Sequence, residues 1–398
     1  MIYKKFFSNK CQRHLICFIP FSLTFSIFIA DLLCSICVLI YLKKIINEKI
    51  KIFNNFFVKL LFIFWAYLLI RGAFTLDIVI FSKIFFYFRF ILLGSLICLL
   101  VYDKKFLILL KNYILGSLIV VAFTAYLELF FQINYFSSIV IPGRISGIFG
   151  DELIIGSYLV RILPIFIAIN FFLLNKNLSS LVVFSIVFPV ILSSGERTAM
   201  ILFFILVFLT FIYLLYVKKN NIKIFFYISF SIIILSFLSW QYASTTDIKN
   251  RVLSITSIDN IKQSYNNYKP TYESAYKVFN NNKIFGVGPR NFRNVCNDQE
   301  NFVKNGCTTH PHNIALQLLS ETGLVGISFY FLIIFSLIVK FVKTPNSNNL
   351  IITQKYLFIL IMINLFPFIP SGNFFNNFMN FLYYIPIGLS LGLFEKKN

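Results

Sequence analysis

Two of the chain's three histidines, His310 and His312, flank Pro311 at the head of an apolar run that continues to about residue 339. A neutral imidazole can take a proton from a hydroxyl, which is what a general base must do. With Pro311 at the first helical position and His310 as its cap, His312 falls in the first turn. The positive end of a helix disfavours imidazolium there, so His312 is the candidate base and His310 a secondary residue. The alternative is that His312 only caps the helix and hydrogen-bonds the loop. No third ligand at a suitable spacing accompanies the pair, so no metal site is expected. Glu321 would be a natural partner for His312, but nine helical residues put it on the opposite face, about 13 Å along the axis. It reads instead as a structural pair inside a bundle. Leu316, Leu319, Gly323 and Gly326 share the His312 face, where the glycines would let a neighbouring helix approach closely.

Arginine is the second chemical signal. It is scarce beside lysine in this chain, and its planar fork grips phosphate with two hydrogen bonds and stays charged when partly desolvated. Three stretches present it. "RISGIFGDELIIGSYLVR" offers Arg144 and Arg161, with Asp151 expected as a helix N-cap. "SSGERTAM" is a tight turn in which Gly195 permits the reversal and Arg197 starts the next helix. "FGVGPRNFR" is a glycine-rich turn carrying Arg290 and Arg293. Glycine-rich turns and helix starts both aim backbone N–H groups at anions. Arg144, Arg161, Arg197 and Arg290 are therefore candidates for an anionic ligand, with Arg293 secondary. The alternative is that the arginines snorkel or pair with Asp77, Asp151, Glu152 and Glu196.

These residues need a scaffold, and composition supplies its class. The 398 residues are 58% hydrophobic and 13% charged, whereas soluble chains run near half apolar with about a quarter charged. The surplus comes in blocks of roughly 20 residues, the length that crosses a bilayer as a helix. Spans are expected near 15–28, 29–42, 57–71, 85–101, 107–131, 153–174, 178–193, 198–217, 222–241, 313–339, 350–370 and 375–394. The first two are short enough to be tilted or re-entrant. No small-residue cleavage site follows the first block, so it does not read as a signal peptide. The expected fold is all-α, a polytopic integral membrane helix bundle of about 12 transmembrane helices, with residues 1–398 forming one transmembrane domain.

Lysine collects at every second loop, as at Lys43 and Lys44, Lys104 and Lys105, Lys176, Lys218 and Lys219, and Lys340 and Lys343. By the positive-inside rule those loops and both termini are cytoplasmic. The net charge of +21 is then mostly a topology signal, and nucleic acid is not an expected partner. Of the nine arginines only Arg13 falls on the inner side; the other eight fall on the outer side, Arg89 and Arg161 within spans and Arg71 and Arg251 among the rest. That side also carries a medium loop near 132–152 and a long polar loop, 242–312, whose "SYNNYKPTYESAYKVFNNNK" predicts one or two interfacial amphipathic helices. Cys296 and Cys307 lie in this loop, where a disulfide that shapes it and a pair of free thiols are both open. The other five cysteines are expected to pack as small apolar residues.

The histidine segment "HPHNIALQLLSETGLVG" and the turn "FGVGPRNFR" resemble the signature of the O-antigen ligase and O-antigen polymerase family. "RISGIFGDELIIGSYL", "SSGERTAM" and "LFPFIPSGNFFNN" are also similar to it, so the resemblance covers most of residues 140–390, while the first 130 match only as apolar spans. The resemblance implies a multi-pass, metal-independent glycosyltransferase of the cell inner membrane, without cofactor, whose site and long loop face the periplasm. Its donor would be a glycan on undecaprenyl diphosphate. Its acceptor would be lipid A–core in a ligase, or a second carrier-linked repeat unit in a polymerase. His312 matches the family's base candidate, and Arg197 and Arg290 match basic positions expected to hold the diphosphate. Without Mg²⁺, fixed guanidiniums must neutralise the departing diphosphate. The polyprenyl tail would lie between Phe-rich helices among membrane lipids.

One long outer loop beside a medium one leans toward ligase over polymerase. A lipid-linked glycan transporter, the alternative from another class, would favour ionisable residues near mid-bilayer and related halves. Here the charges crowd the outer face and no such halves are visible.

Overall fold

The computed structural model describes residues 10–49, 55–131, 133–137, 143–217, 258–344 and 349–394, and every regular element among them is a helix. In chain order those of eight residues or more are α1 (Lys10–Ser22), α2 (Ile27–Glu48), α3 (Phe56–Ala73), α4 (Ile78–Phe85), α5 (Phe88–Leu100), α6 (Lys104–Phe131) and α7 (Ile155–Ile167). There follow α8 (Asn177–Ser193), α9 (Arg197–Val217), α10 (Ile258–Asn281), α11 (Ile314–Lys343), α12 (Asn349–Asn364) and α13 (Asn377–Phe394). Each expected span overlaps one of these helices except 222–241, which lies outside the described residues together with 242–257 and Arg251. Among the described residues five helical segments are long and apolar enough to cross a membrane: Phe56–Ala73, Ile78–Leu100, Lys104–Phe131, Ile155–Leu173 and Ile314–Lys343. The protein is a helical membrane protein.

Local chemistry sets the helix starts. Side chains of Ser26, Asn55 and Asp77 accept first-turn N–H groups at the heads of α2, α3 and α4, the usual work of N-cap residues. The expected span 85–101 is in fact α4 and α5 joined by a bend at residues 86–87. α5 packs along α13, and α13 along α12. Gly388 and Gly392, four apart on α13, meet the backbone of α5, since a Cβ on either would run into Gly94 or Cys98. Small residues at this spacing let two apolar helices touch backbone to backbone. Cys17, Cys34, Cys37 and Cys98 are buried as expected, whereas Cys11 is exposed.

α11 departs from the expected continuous helix. Gly323 adopts φ 65° and ψ −167°, which breaks it into two, a conformation essentially restricted to glycine. The freed backbone groups are not left empty. Val287 and Gly288 donate to the Ser320 and Glu321 carbonyls at 3.0 and 2.8 Å, and Leu324 and Val325 donate to the Lys283 and Ile284 carbonyls at 2.9 and 3.2 Å. Residues 283–288 thus fill the gap in the helix, so the role expected for Gly323, a close helix–helix approach, is overturned. Tyr67 and Arg71 of α3 hold the same segment, with Arg71 donating to the Phe285 and Gly286 carbonyls at 3.1 and 2.6 Å.

In the long loop a single helix, α10, covers the amphipathic stretch. Thr271, Ser274, Ala275 and Val278 face inward, and Ala275 and Val278 pack with Phe292 and Cys296. Tyr265 and Tyr276 are exposed, while Tyr268 and Tyr272 are half-buried with their rings stacked at 5.9 Å. A disulfide joins Cys296 to Cys307, with Cα atoms 5.2 Å apart.

Candidate active site

Asn313, not His310, caps α11. Its extended backbone lets its carboxamide oxygen accept Leu316 N–H at 3.0 Å, so Pro311 and both histidines precede the helix. The expectation that His312 occupies the first turn is overturned. His312 is held in a left-handed conformation, φ 54°, where its carbonyl accepts Ser371 N–H at 2.9 Å and Asn313 bridges to Pro370. Its preference for the neutral form survives with a different cause, because burial rather than a helix terminus lowers its pKa.

The two imidazoles have separate fates. His310 is buried, with Nδ1 3.0 Å from the Thr309 hydroxyl and Nε2 3.4 Å from the Ser371 carbonyl. A carbonyl can only accept, which makes Nε2 the protonated nitrogen and leaves Nδ1 to accept from Thr309. Burial, helped by His312 and Arg293 and opposed by the Ser371 contact, brings its pKa down to about 4. His312 is half-buried, and among the described residues neither of its ring nitrogens has a hydrogen-bond partner. Its ring sits 4.1 Å from that of His310 and 5.6 Å from that of Tyr268. His312 is thus the imidazole with an open nitrogen.

The glycine-rich turn behaves differently from expectation. Its N–H groups do not face an open anion site: Val287 and Gly288 donate to α11 carbonyls, and the Glu321 carboxylate accepts Arg290 N–H at 2.9 Å and Phe292 N–H at 3.4 Å. Glu321 is fully buried and also accepts from Gln317 Nε2 at 3.1 Å, which agrees with a structural role. What the turn presents is side chains. Arg290, itself at φ 63°, donates to the Phe375 carbonyl at 3.0 Å, and Arg293 is exposed. Burial and the nearby Arg293 lower the pKa of Arg290, with Glu321 opposing.

A second basic group surrounds the head of α7. The expected cap, Asp151, instead accepts from the Ser137 hydroxyl at 2.7 Å. Helix α7 begins four residues later, and the Glu196 carboxylate caps it from the "SSGER" turn, accepting Gly156 N–H at 2.6 Å and Ser157 N–H at 3.1 Å. The turn can lie this close because Gly156 has no Cβ to strike the Ser194 hydroxyl. An anion-binding helix start is therefore present but already holds a carboxylate. Burial raises the pKa of Glu196, while its Ser157 and Gly156 hydrogen bonds and Arg144 oppose. Arg144 donates to the Leu153 carbonyl at 3.1 Å, and Arg161 to the Ser157 carbonyl at 2.9 Å. Among the described residues Arg161 Nε and the Tyr383 hydroxyl are both buried without a hydrogen-bond partner, and the two side chains lie within electrostatic reach. Arg197 opens α9, as the sequence indicates. Of the other arginines, Arg89 pairs with Asp31 at 3.0 Å, a partner outside the expected set.

The two groups border one segment, residues 371–383, expected only as the end of the family-like stretch "LFPFIPSGNFFNN" and the start of a span. Ser371 and Phe375 touch the histidine and Arg290 side, while Tyr383 lies beside Arg161, and the Phe374 and Tyr383 rings are 5.9 Å apart. Gln317 anchors the segment, donating to Asn373 Oδ1 at 2.9 Å and accepting Phe374 N–H at 2.9 Å. Gln317 and Glu321, polar residues one turn apart in an apolar helix, were the available signal. Lys83 of α4, within electrostatic reach of Arg290 and Arg293, was also missed. Among the described residues no three of His, Cys, Asp and Glu gather as a metal site requires.

Comparison with known proteins adds one finding: the family model described as O-antigen ligase matches residues 159–331. The match contains Arg161, Arg197, Arg290, Arg293, both loop histidines and Glu321, and leaves out Arg144 and the 371–383 segment. No curated protein matches the chain.

Proposed function

We propose that the protein, whose residues 159–331 match the family model described as O-antigen ligase, is a membrane glycosyltransferase that moves a glycan from undecaprenyl diphosphate to a sugar hydroxyl. The observation that carries the reading is the open nitrogen of His312, whose ring lies 4.1 Å from that of His310, a fully engaged histidine within electrostatic reach of Arg293. His312 takes the acceptor hydroxyl's proton as the oxygen attacks the anomeric carbon. The C–O bond to the diphosphate breaks, and its growing negative charge is met by Arg290 and Arg197, with Arg161 and Arg144 adding positive potential. The site faces the periplasm, within twelve spans and with both termini cytoplasmic, and the acceptor is lipid A–core. His310 positions the loop.

Polymerase chemistry would use the same parts with a second carrier-linked glycan as acceptor. A lipopolysaccharide gel from a deletion strain separates the readings. Core without polymer, with carrier-linked polymer accumulating, is the expected result. Core bearing a single repeat would assign the polymerase role, and unaltered lipopolysaccharide would overturn both.

A further inference from the structure

The loop closed by the Cys296–Cys307 disulfide borders an open pocket of about 430 Å³ that the transfer mechanism does not use. Its size falls in the roughly 300–1,000 Å³ range of small-molecule sites. Arg293, Asn297, Asn305, Thr308 and Thr309 bring a guanidinium, two carboxamides and two hydroxyls to its wall, around the ring of Phe302. A pyranose presents the matching alternation, with hydroxyls around its rim and an apolar C–H face.

The wall is braced before any ligand arrives. Besides the disulfide, Asn301 donates to the Val295 carbonyl at 3.0 Å and accepts from Asn281 at 3.0 Å, and Lys277 of α10 holds the Phe302 carbonyl at 2.9 Å. A preformed wall spares the ordering cost of binding. One edge is tied to the histidines: the Thr309 hydroxyl bonds His310 Nδ1 at 3.0 Å, and the Thr308 hydroxyl bonds the His310 carbonyl at 2.7 Å. Arg293 is also within electrostatic reach of His310.

We propose that this pocket binds a saccharide residue carrying one negative charge, a uronate or a phosphosugar, on the acceptor side of the transfer site. Arg293 pairs with the anion, the carboxamides and hydroxyls take the ring hydroxyls, and Phe302 takes the C–H face. The acceptor assignment rests on the transferase reading above, while the binding itself does not. The test is saturation-transfer NMR on the full chain in nanodiscs with methyl glucuronoside, glucose 6-phosphate and methyl glucoside as probes, run beside a glycan-transfer assay. An anionic probe should bind in preference to the neutral one, Arg293→Gln should weaken it about tenfold, the loss of one charge-assisted contact, and His312→Ala should leave it unchanged. Whichever anionic probe binds more tightly names the source of the charge. No anionic binding, equal binding of the neutral glucoside, or full binding by Arg293→Gln would overturn the proposal. If Arg293→Gln still binds while His312→Ala has lost transfer, the pocket assignment fails and the transferase reading stands. If His312→Ala still transfers while Arg293→Gln has lost binding, the mechanism fails and the pocket remains.

Discussion

At the scale of single residues, hydrogen bonding separates two histidines that sequence could only rank. His310 spends both nitrogens on Thr309 and Ser371, whereas His312 keeps its own available. His312→Ala should therefore cut glycan transfer by about 10² to 10⁴, the usual worth of a general base, and His310→Ala by only about tenfold, through a loosened loop. Near-normal turnover of His312→Ala in a reconstituted assay would make it a structural residue. Burial lowers the His312 pKa from its ordinary 6.5, so the ring is neutral at pH 7 and becomes protonated only as pH falls through that lowered value. The rate should then be level above pH 6.5 and lost on an acid limb whose midpoint lies below it; a midpoint above it would count against His312 as the base. Arg197→Lys keeps the charge and loses the fork. If the diphosphate is gripped with two bonds, activity should drop about 10- to 100-fold at normal expression, and a fully active variant would reduce Arg197 to a packing charge. The residue types were legible because histidine and arginine are scarce in this chain. The caps were not: Asn313 competes with His310 three positions further on, and Glu196 reaches α7 from 40 residues away.

At the scale of elements, the break in α11 places the site. Glu321 stands just before it, and the carboxylate and carbonyls at the break position Arg290 through the backbone of its turn. Gly323→Ala cannot keep φ 65° and ψ −167° without strain, and its Cβ would strike the Ile284 carbonyl. The variant should lose about 1–3 kcal/mol of stability and most of its activity, read as a lower Tm beside reduced transfer. An unchanged Tm would mean that the break is incidental. Helices were readable because bilayer thickness fixes their length. The break was not, because an apolar run containing glycine looks the same whether that glycine packs a neighbour or admits residues 283–288, and the difference lies in a segment about 35 positions upstream.

At the scale of the whole molecule, the distribution of lysine sets the expected orientation. By the positive-inside rule Lys176 is expected inside, and the Cys296–Cys307 disulfide fits an oxidising compartment for the loop that follows Asn281. Reporter fusions at Lys176 and Asn281 should report opposite compartments, and one compartment for both would overturn the twelve-span arrangement.

The threading of residues 283–288 through the gap in α11 also limits how this protein can be recombined. The long loop is not a detachable cassette, since four backbone hydrogen bonds sew it into the interior of α11. A chimaera that takes the loop from a relative and keeps its own α11 would juxtapose two halves of a seam never tailored to each other. The natural unit of exchange runs unbroken from Lys283 through Val325, so that both edges of the seam travel together.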